Sequence, residues 1–311
     1  MRTKLVHGRE FGTLAGLVTL CAGLWTATPH FATLSNLSNV VEQSTIIGIV
    51  AVGMTFVILS GGIDLSVGSI VALAGVVLGS AIHGGAPVWL AVVAALAVGS
   101  ACGLVNGALI TIGRLPPFIA TLGMMSVARG GALLFTDGRP ISEFPQGLRS
   151  VATGHVLRVP MPVLLMLAVY LVAHVVLKRT TLGRYTYAIG GNEEAARLSG
   201  VNVRAWKTAV YAVSGLFGAL TSVVLVARLN SAQPIAGTSY ELDAIAAVVI
   251  GGASLLGGVG SVFGTLIGAL IMSVLRNGLN LLGVSSYLQQ VAIGVVIVVA
   301  VLVDIGVRRQ R

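Results

Sequence analysis

The run Pro162–Leu177, PVLLMLAVYLVAHVVL, leads into the polar stretch Lys178–Lys207, KRTTLGRYTYAIGGNEEAARLSGVNVRAWK, and then into Thr208–Ala227, TAVYAVSGLFGALTSVVLVA. The middle stretch carries Lys178, Arg179, Arg184, Arg197, Arg204 and Lys207 against only Glu193 and Glu194. A helix needs roughly 20 mostly apolar residues to cross the hydrocarbon of a bilayer. Both flanks therefore read as membrane spans, and the stretch between them as a basic platform outside the lipid. Membrane proteins keep their excess of Lys and Arg on the cytoplasmic side, which places this platform there. A basic platform in so apolar a chain reads as a docking surface for a cytoplasmic partner.

The rest of the chain agrees with that start. It has 311 residues, of which 56% are hydrophobic and 9% charged, and a mean hydropathy of +0.97. A soluble domain carries about 25% charged residues. Ten apolar segments are candidate spans: 11–28, 44–60, 66–83, 87–112, 117–135, 161–178, 208–229, 241–256, 260–281 and 287–305. The expected fold is all-α, a polytopic membrane helical bundle of about ten transmembrane helices, some broken by glycine. Residues 1–311 are expected to form one transmembrane domain, and 178–207 is its large inner loop.

An even number of spans with the amino end inside puts both termini in the cytoplasm. The inner segments are then 1–10, 61–65, 113–116, 178–207 and 306–311, holding 13 of the 19 Lys and Arg. Arg139, Arg149 and Arg158 lie in the outer loop 136–160 against that trend, partly offset by Asp137 and Glu143. The net charge of +9 follows topology and forms no aromatic-interleaved basic face, so no nucleic-acid partner is expected. Cys21 and Cys102 fall in apolar runs and read as small hydrophobes. The start of the chain resembles a secretory signal in charge pattern, but no A-x-A-like site follows, and an uncleaved first span is the better reading.

Two stretches echo each other. Val57–Ile70, VILSGGIDLSVGSI, resembles Val248–Val262, VVIGGASLLGGVGSV. Each keeps Gly-Gly, a small polar residue, Leu and then Val-Gly-Ser, as a weak internal repeat expected to be parallel. Such breaks end a helix inside or near the membrane and expose backbone groups that protein or water must cover. Gly61, Gly62, Asp64 and Ser66 in the first, with Gly251, Gly252 and Ser254 in the second, are the candidates for a helix break or translocation path. A carboxylate at the bilayer centre costs about 2.5–3.5 kcal/mol, so Asp64 is expected near an interface or a wet cavity. Capping the helix that begins near Ser66 is its expected role, with direct contact to cargo as the alternative. Glycines at four-residue spacing, Gly99, Gly103 and Gly107, then Gly260, Gly264 and Gly268, read as close helix packing.

No catalytic site emerges. None of the three lysines completes G-x-x-x-x-G-K-[ST], so the chain has no P-loop of its own. The five histidines lack ligand spacing, and no metal site is expected. Asp64, Glu241, Asp243 and Asp304 are the carboxylates near span ends, a placement that favours a neutral cargo over ion coupling.

Beyond these readings, four stretches resemble one family. They are Gly183–Val203, Ala51–Thr55 with Ser60–Ser69, Ser231–Ala246, and Asn277–Tyr287. Together they look like the permease subunits of bacterial ABC importers, in the class that carries ribose and related monosaccharides. The resemblance runs from about residue 33 to 304. It implies a monosaccharide permease in the bacterial cytoplasmic membrane, with no cofactor on this chain and ATP-Mg on a partner ATPase subunit. It also implies an extracytoplasmic sugar-binding protein and a second permease copy or paralogue, forming a dimer. In the family a short coupling helix grips the ATPase. Here that helix is expected over Asn192–Ser199, with Gly191, Asn192, Glu193, Glu194, Ala196, Arg197, Leu198 and Gly200 as the coupling residues. The sequence supports the helix independently: Asn192 is a good N-cap, Glu193 and Glu194 suit the first turn, and Arg197 suits the last. Gly200 suits the stop. An amphipathic surface helix binding membrane lipid heads is the bland alternative. An ion-coupled secondary carrier of a small neutral solute and a membrane scaffold are the rival functions.

Overall fold

The computed structural model describes residues 2–309, so Arg311, counted above among the inner-side cations, lies outside the described residues. Thirteen helices are seen among them: α1 Arg2–Ala27, α2 Leu34–Leu59, α3 Val67–His83, α4 Val88–Thr111, α5 Pro117–Thr136, α6 Gln146–Thr153, α7 Met161–Arg179, α8 Thr181–Gly191, α9 Glu193–Leu198, α10 Val203–Leu229, α11 Tyr240–Ile250, α12 Val262–Leu281 and α13 Ser286–Arg309. Strand is confined to two short antiparallel pairs, Ile141–Ser142 with Ser231–Ala232 and His155–Val156 with Val159–Pro160. The fold is a polytopic helical bundle.

Each of the ten apolar segments coincides with a helix, but they are not equivalent. Seven helices among the described residues are long and apolar enough to cross a membrane: α1, α2, α4, α5, α7, α10 and α12. The apolar helices α3 and α13 are shorter in their described apolar length. The segment expected over 241–256 contracts to α11, whose 11 residues span about half the hydrocarbon at roughly 1.5 Å per residue. A half-length helix is stable at membrane depth only when protein surrounds it. Ala244, Ala246, Ala247 and Val248 are accordingly fully buried, packed between α2, α12 and α13.

The centre of the bundle is α2, α10 and α12. In α2, 78% of the most apolar window is buried inside the protein, against 6% in α1, which places α1 at the periphery. Water-hating surface gives helices in lipid little reason to associate, so close backbone approach and polar links carry the packing. Both are present. A side chain at Gly103 of α4 would strike the carbonyl of Tyr211 on α10, so glycine there sets the distance between the two helices. Thr55 meets Thr265 at 2.8 Å, Tyr170 donates to the Gly48 carbonyl at 3.1 Å, and Asn36 and Asn277 exchange reciprocal bonds at 3.0 and 2.9 Å.

Candidate functional site

The basic platform folds as three short steps. Thr180 Oγ1 accepts from Gly183 N and opens α8. Asn192 Oδ1 accepts from Ala195 N at 2.9 Å and opens α9. Asn202 Oδ1 accepts from Ala205 N at 3.1 Å and opens α10. These are three N-caps of the expected residue type. Helix α9 stops at Ser199, and Gly200 follows with φ +84°, a conformation that suits glycine. The helix anticipated over Asn192–Ser199 is thus α9 with its two capping residues.

Helix α9 has an inner and an outer face. Ala196 is buried and belongs to a small apolar cluster with Ile189 and Val203, against which Tyr185 and Trp206 pack. Glu193 binds Lys207 at 2.7 Å, which ties α9 to the first turns of α10. Outward, Arg197 pairs with Glu194 one turn away, and Leu198 is 79% exposed. The outer face is thus an exposed leucine framed by charges, and an exposed pair adds little stability. Gly191 has open space around it.

Helix α8 connects this surface to both glycine breaks. Gly190 sits against the carbonyl of Leu59 at the end of α2, where any side chain would collide. Gly258 N, in the second break, donates to that same Leu59 carbonyl at 2.9 Å. Tyr187 donates to the Gly260 carbonyl at 2.8 Å. Burial, with Glu10 nearby, pushes the Tyr187 phenol up to about 12, so it keeps its proton and remains a donor. Ser261 caps α12 through Gly264 N at 2.9 Å and donates to Glu10 of α1 at 2.5 Å. The two breaks and the root of the platform therefore meet at one end of the bundle.

In the first break α2 ends at Leu59 with Ser60 as C-cap, and Gly61 turns with φ +77°. Gly62 lies under the Tyr211 ring. Asp64 differs from expectation in one way. It is fully buried among protein, and it does not cap α3, whose N-cap is Ser66. Its Oδ1 accepts from Ser66 N at 2.9 Å and Ser66 Oγ at 2.6 Å, and its Oδ2 accepts from Ser214 Oγ at 2.8 Å. Ser66 in turn accepts from Asn106 at 2.8 Å. The carboxylate is satisfied by hydroxyl and amide donors, and it joins the first break to α4 and α10.

In the second break Gly251 is the C-cap of α11 and Gly252 turns with φ +88°. Ser254 is fully buried and its hydroxyl accepts from Leu256 N at 3.2 Å. Asp64, Ser66 and Ser254 all face protein.

A cavity of about 360 Å³ lies toward the other end of the bundle, between α2, α10, α11 and α12. Its polar lining includes Gln43, Tyr240, Asp243, Ser273 and Arg276. Arg276 Nη2 reaches both oxygens of Asp243, at 3.0 and 2.8 Å. Nearby, Arg129 of α5 donates to the carbonyls of Pro234 and Ala236 at 2.8 and 2.7 Å, holding the loop before α11. Sequence reasoning noted Asp243 but not Arg276 or Gln43. The available signal was Arg276 itself, a lone cation in the apolar run 260–281, where an ionisable residue is a functional candidate by default.

A bundle of this kind, with glycine-broken helices, a charged platform at one end, a polar cavity toward the other and no P-loop, defines a membrane transport component. Residues 36–301 match the family described as branched-chain amino acid transport system / permease component, and the chain belongs to that family. Its similarity extends to sugar permeases over nearly the whole length. It is 50% identical to the ribose import permease protein RbsC of Escherichia coli, covering 98% of this chain and 99% of the relative. The Bacillus subtilis ribose import permease protein is 48% identical, covering 95% and 92%. The D-allose transport system permease protein AlsC of Escherichia coli is 37% identical, covering 95% and 91%. No solved structure matches.

Proposed function

We propose that this chain is the membrane conduit of an ATP-driven importer that carries ribose across the bacterial cytoplasmic membrane, with both termini and the 178–207 platform in the cytoplasm. The observation that carries the reading is the contact of α8 with both breaks. Gly190 touches the end of α2, Tyr187 holds the end of the second break, and α9 hangs from the same helix. An ATPase subunit gripping Glu193, Glu194, Arg197 and Leu198 moves α9, and α8 transmits that motion to the ends of α2 and α11. The bundle then opens its path first to one side and then to the other. The free energy comes from ATP-Mg on the partner, since this chain has no nucleotide loop. An external sugar-binding protein selects the cargo, and a second permease completes the path. The identity to ribose permeases supports ribose over the amino-acid cargo in the family description.

Proteoliposomes holding the permease with its ATPase, supplied with the sugar-binding protein and ATP, test this. Ribose uptake is expected to require all three, to ignore a protonophore and to resist competition by leucine. Uptake by the permease alone, driven by an ion gradient, would establish the secondary carrier instead.

A further inference from the structure

The cavity between α2, α10, α11 and α12 has a lining that the coupling mechanism does not use. Its volume of about 360 Å³ lies at the small end of ligand pockets, which run about 300–1,000 Å³. Ile46, Ile47, Leu225 and Met272 form an apolar wall. Among the described residues, the side chains of Gln43, Tyr240 and Ser273 make no hydrogen bond, and Arg276 uses only Nη2, on Asp243. An amide, a phenol, a hydroxyl and the remaining donors of a guanidinium thus line one small space with unspent hydrogen-bonding capacity.

The charges narrow the ligand class. Asp243 is paired with Arg276 and its side chain is only 4% exposed, so its charge is already countered for an ammonium group, which Arg228 in the lining also repels. A strong anion has to sit beside the Asp243 carboxylate, which opposes it. The ion pair is instead a rigid, internally neutralised strut. It occupies Nη2 on Asp243 and leaves Nη1 and Nε as single donors, each able to meet one hydroxyl of a polyol. The Tyr240 ring and the apolar wall suit the C–H face of a small ring.

We infer that this cavity is a low-affinity site for a neutral, polyhydroxylated ring solute, held by Gln43, Tyr240, Ser273 and the Asp243-anchored Arg276. The inference rests on the importer reading and adds to it a place, remote from the glycine breaks, where the conduit itself recognises cargo. Weak binding is what a conduit needs, because a solute that binds tightly does not leave.

The test is equilibrium binding of radiolabelled ribose to the permease–ATPase complex in nanodiscs, without the sugar-binding protein. Saturable binding at millimolar ribose is expected, competed by other pentoses but not by leucine or ribose 5-phosphate. The double variant Gln43→Ala with Tyr240→Phe leaves the ion pair and the packing in place, and is expected to weaken binding at least about fivefold with an unchanged melting temperature. Binding that survives in that variant, or no saturable binding at all, overturns the inference. Competition by leucine or by the phosphorylated sugar overturns the neutral-polyol class. ATP-driven ribose uptake by the same complex with its binding protein is measured in parallel. Normal uptake with no saturable site removes only the cavity inference, whereas absent uptake removes the importer reading.

Discussion

The two glycine breaks are near-copies in sequence and part company in structure. In both, a helix ends at an apolar residue, a C-cap follows, and the next residue is a glycine in the left-handed region, Gly61 at φ +77° and Gly252 at +88°. The shared Val-Gly-Ser then behaves differently. Val67, Gly68 and Ser69 already lie inside α3, whereas Val259 and Gly260 are loop and Ser261 is the cap of α12. The difference traces to one side chain. Asp64 folds the backbone onto Ser66 and starts the helix three residues later. Ser254, at the matching place, accepts from Leu256 N and leads into Gly257 and Gly258 at φ +86° and +71°. A carboxylate with two oxygens holds a turn and a neighbouring helix together. The first break is therefore pinned to α4 and α10, and the second meets the platform through Gly258 and Tyr187.

This asymmetry can be broken at its shared contact. Gly190→Leu forces a side chain between Leu59 and Gly258. It is expected to abolish ATP-driven uptake and to lower stability by at least about 3 kcal/mol. Gly191→Ala, next door in open space, should leave stability unchanged. Uptake in proteoliposomes and thermal unfolding in detergent read the pair, and equal behaviour of the two variants would refute the wedge.

Asp64 sharpens the comparison. Asp64→Ala strands the donors of Ser66 and Ser214 and should cost about 3 kcal/mol. Asp64→Asn keeps an acceptor for Ser66 N and should cost about 1 kcal/mol or less. Ser254→Ala, the counterpart in the second break, is expected to cost about 1 kcal/mol. Denaturant unfolding of the three variants gives the ranking, and a Ser254→Ala loss as large as that of Asp64→Ala erases the difference between breaks.

Reversing Glu193 and Arg197 together addresses the platform without touching either break. The Arg197–Glu194 pair is exposed, but Lys207 beneath Glu193 is mostly buried, so stability should fall by about 1–3 kcal/mol. The ATPase rate in the full complex is expected to continue while ribose uptake falls about tenfold, so unchanged uptake ends the coupling proposal. The mildest change, Tyr187→Phe, removes one hydrogen bond to Gly260. It should cost about 1 kcal/mol and reduce uptake about twofold, checked by the same unfolding and transport measurements.

Helices and caps were legible from local chemistry. Asn192, Glu193, Arg197 and Gly200 announce α9 because each satisfies or complements a helix end within a few residues of itself. The length of α11 was not legible, because an apolar run of 16 residues reads as a span until the tertiary structure shows where backbone hydrogen bonds stop. Nor was the setting of Asp64, since its partner Ser214 lies 150 residues away.

Composition and spacing alone determined that this is a glycine-broken helical membrane protein with one basic platform, because hydrophobicity, caps and breaks act over a turn or two of chain. Only the tertiary structure decided that α8 wedges between the two breaks, that Asp64 is buried, and that Asp243 and Arg276 meet across a cavity. Those facts depend on which helix faces come together, and contacts such as Glu10 with Ser261, 251 residues apart, leave no local signature for a sequence to carry.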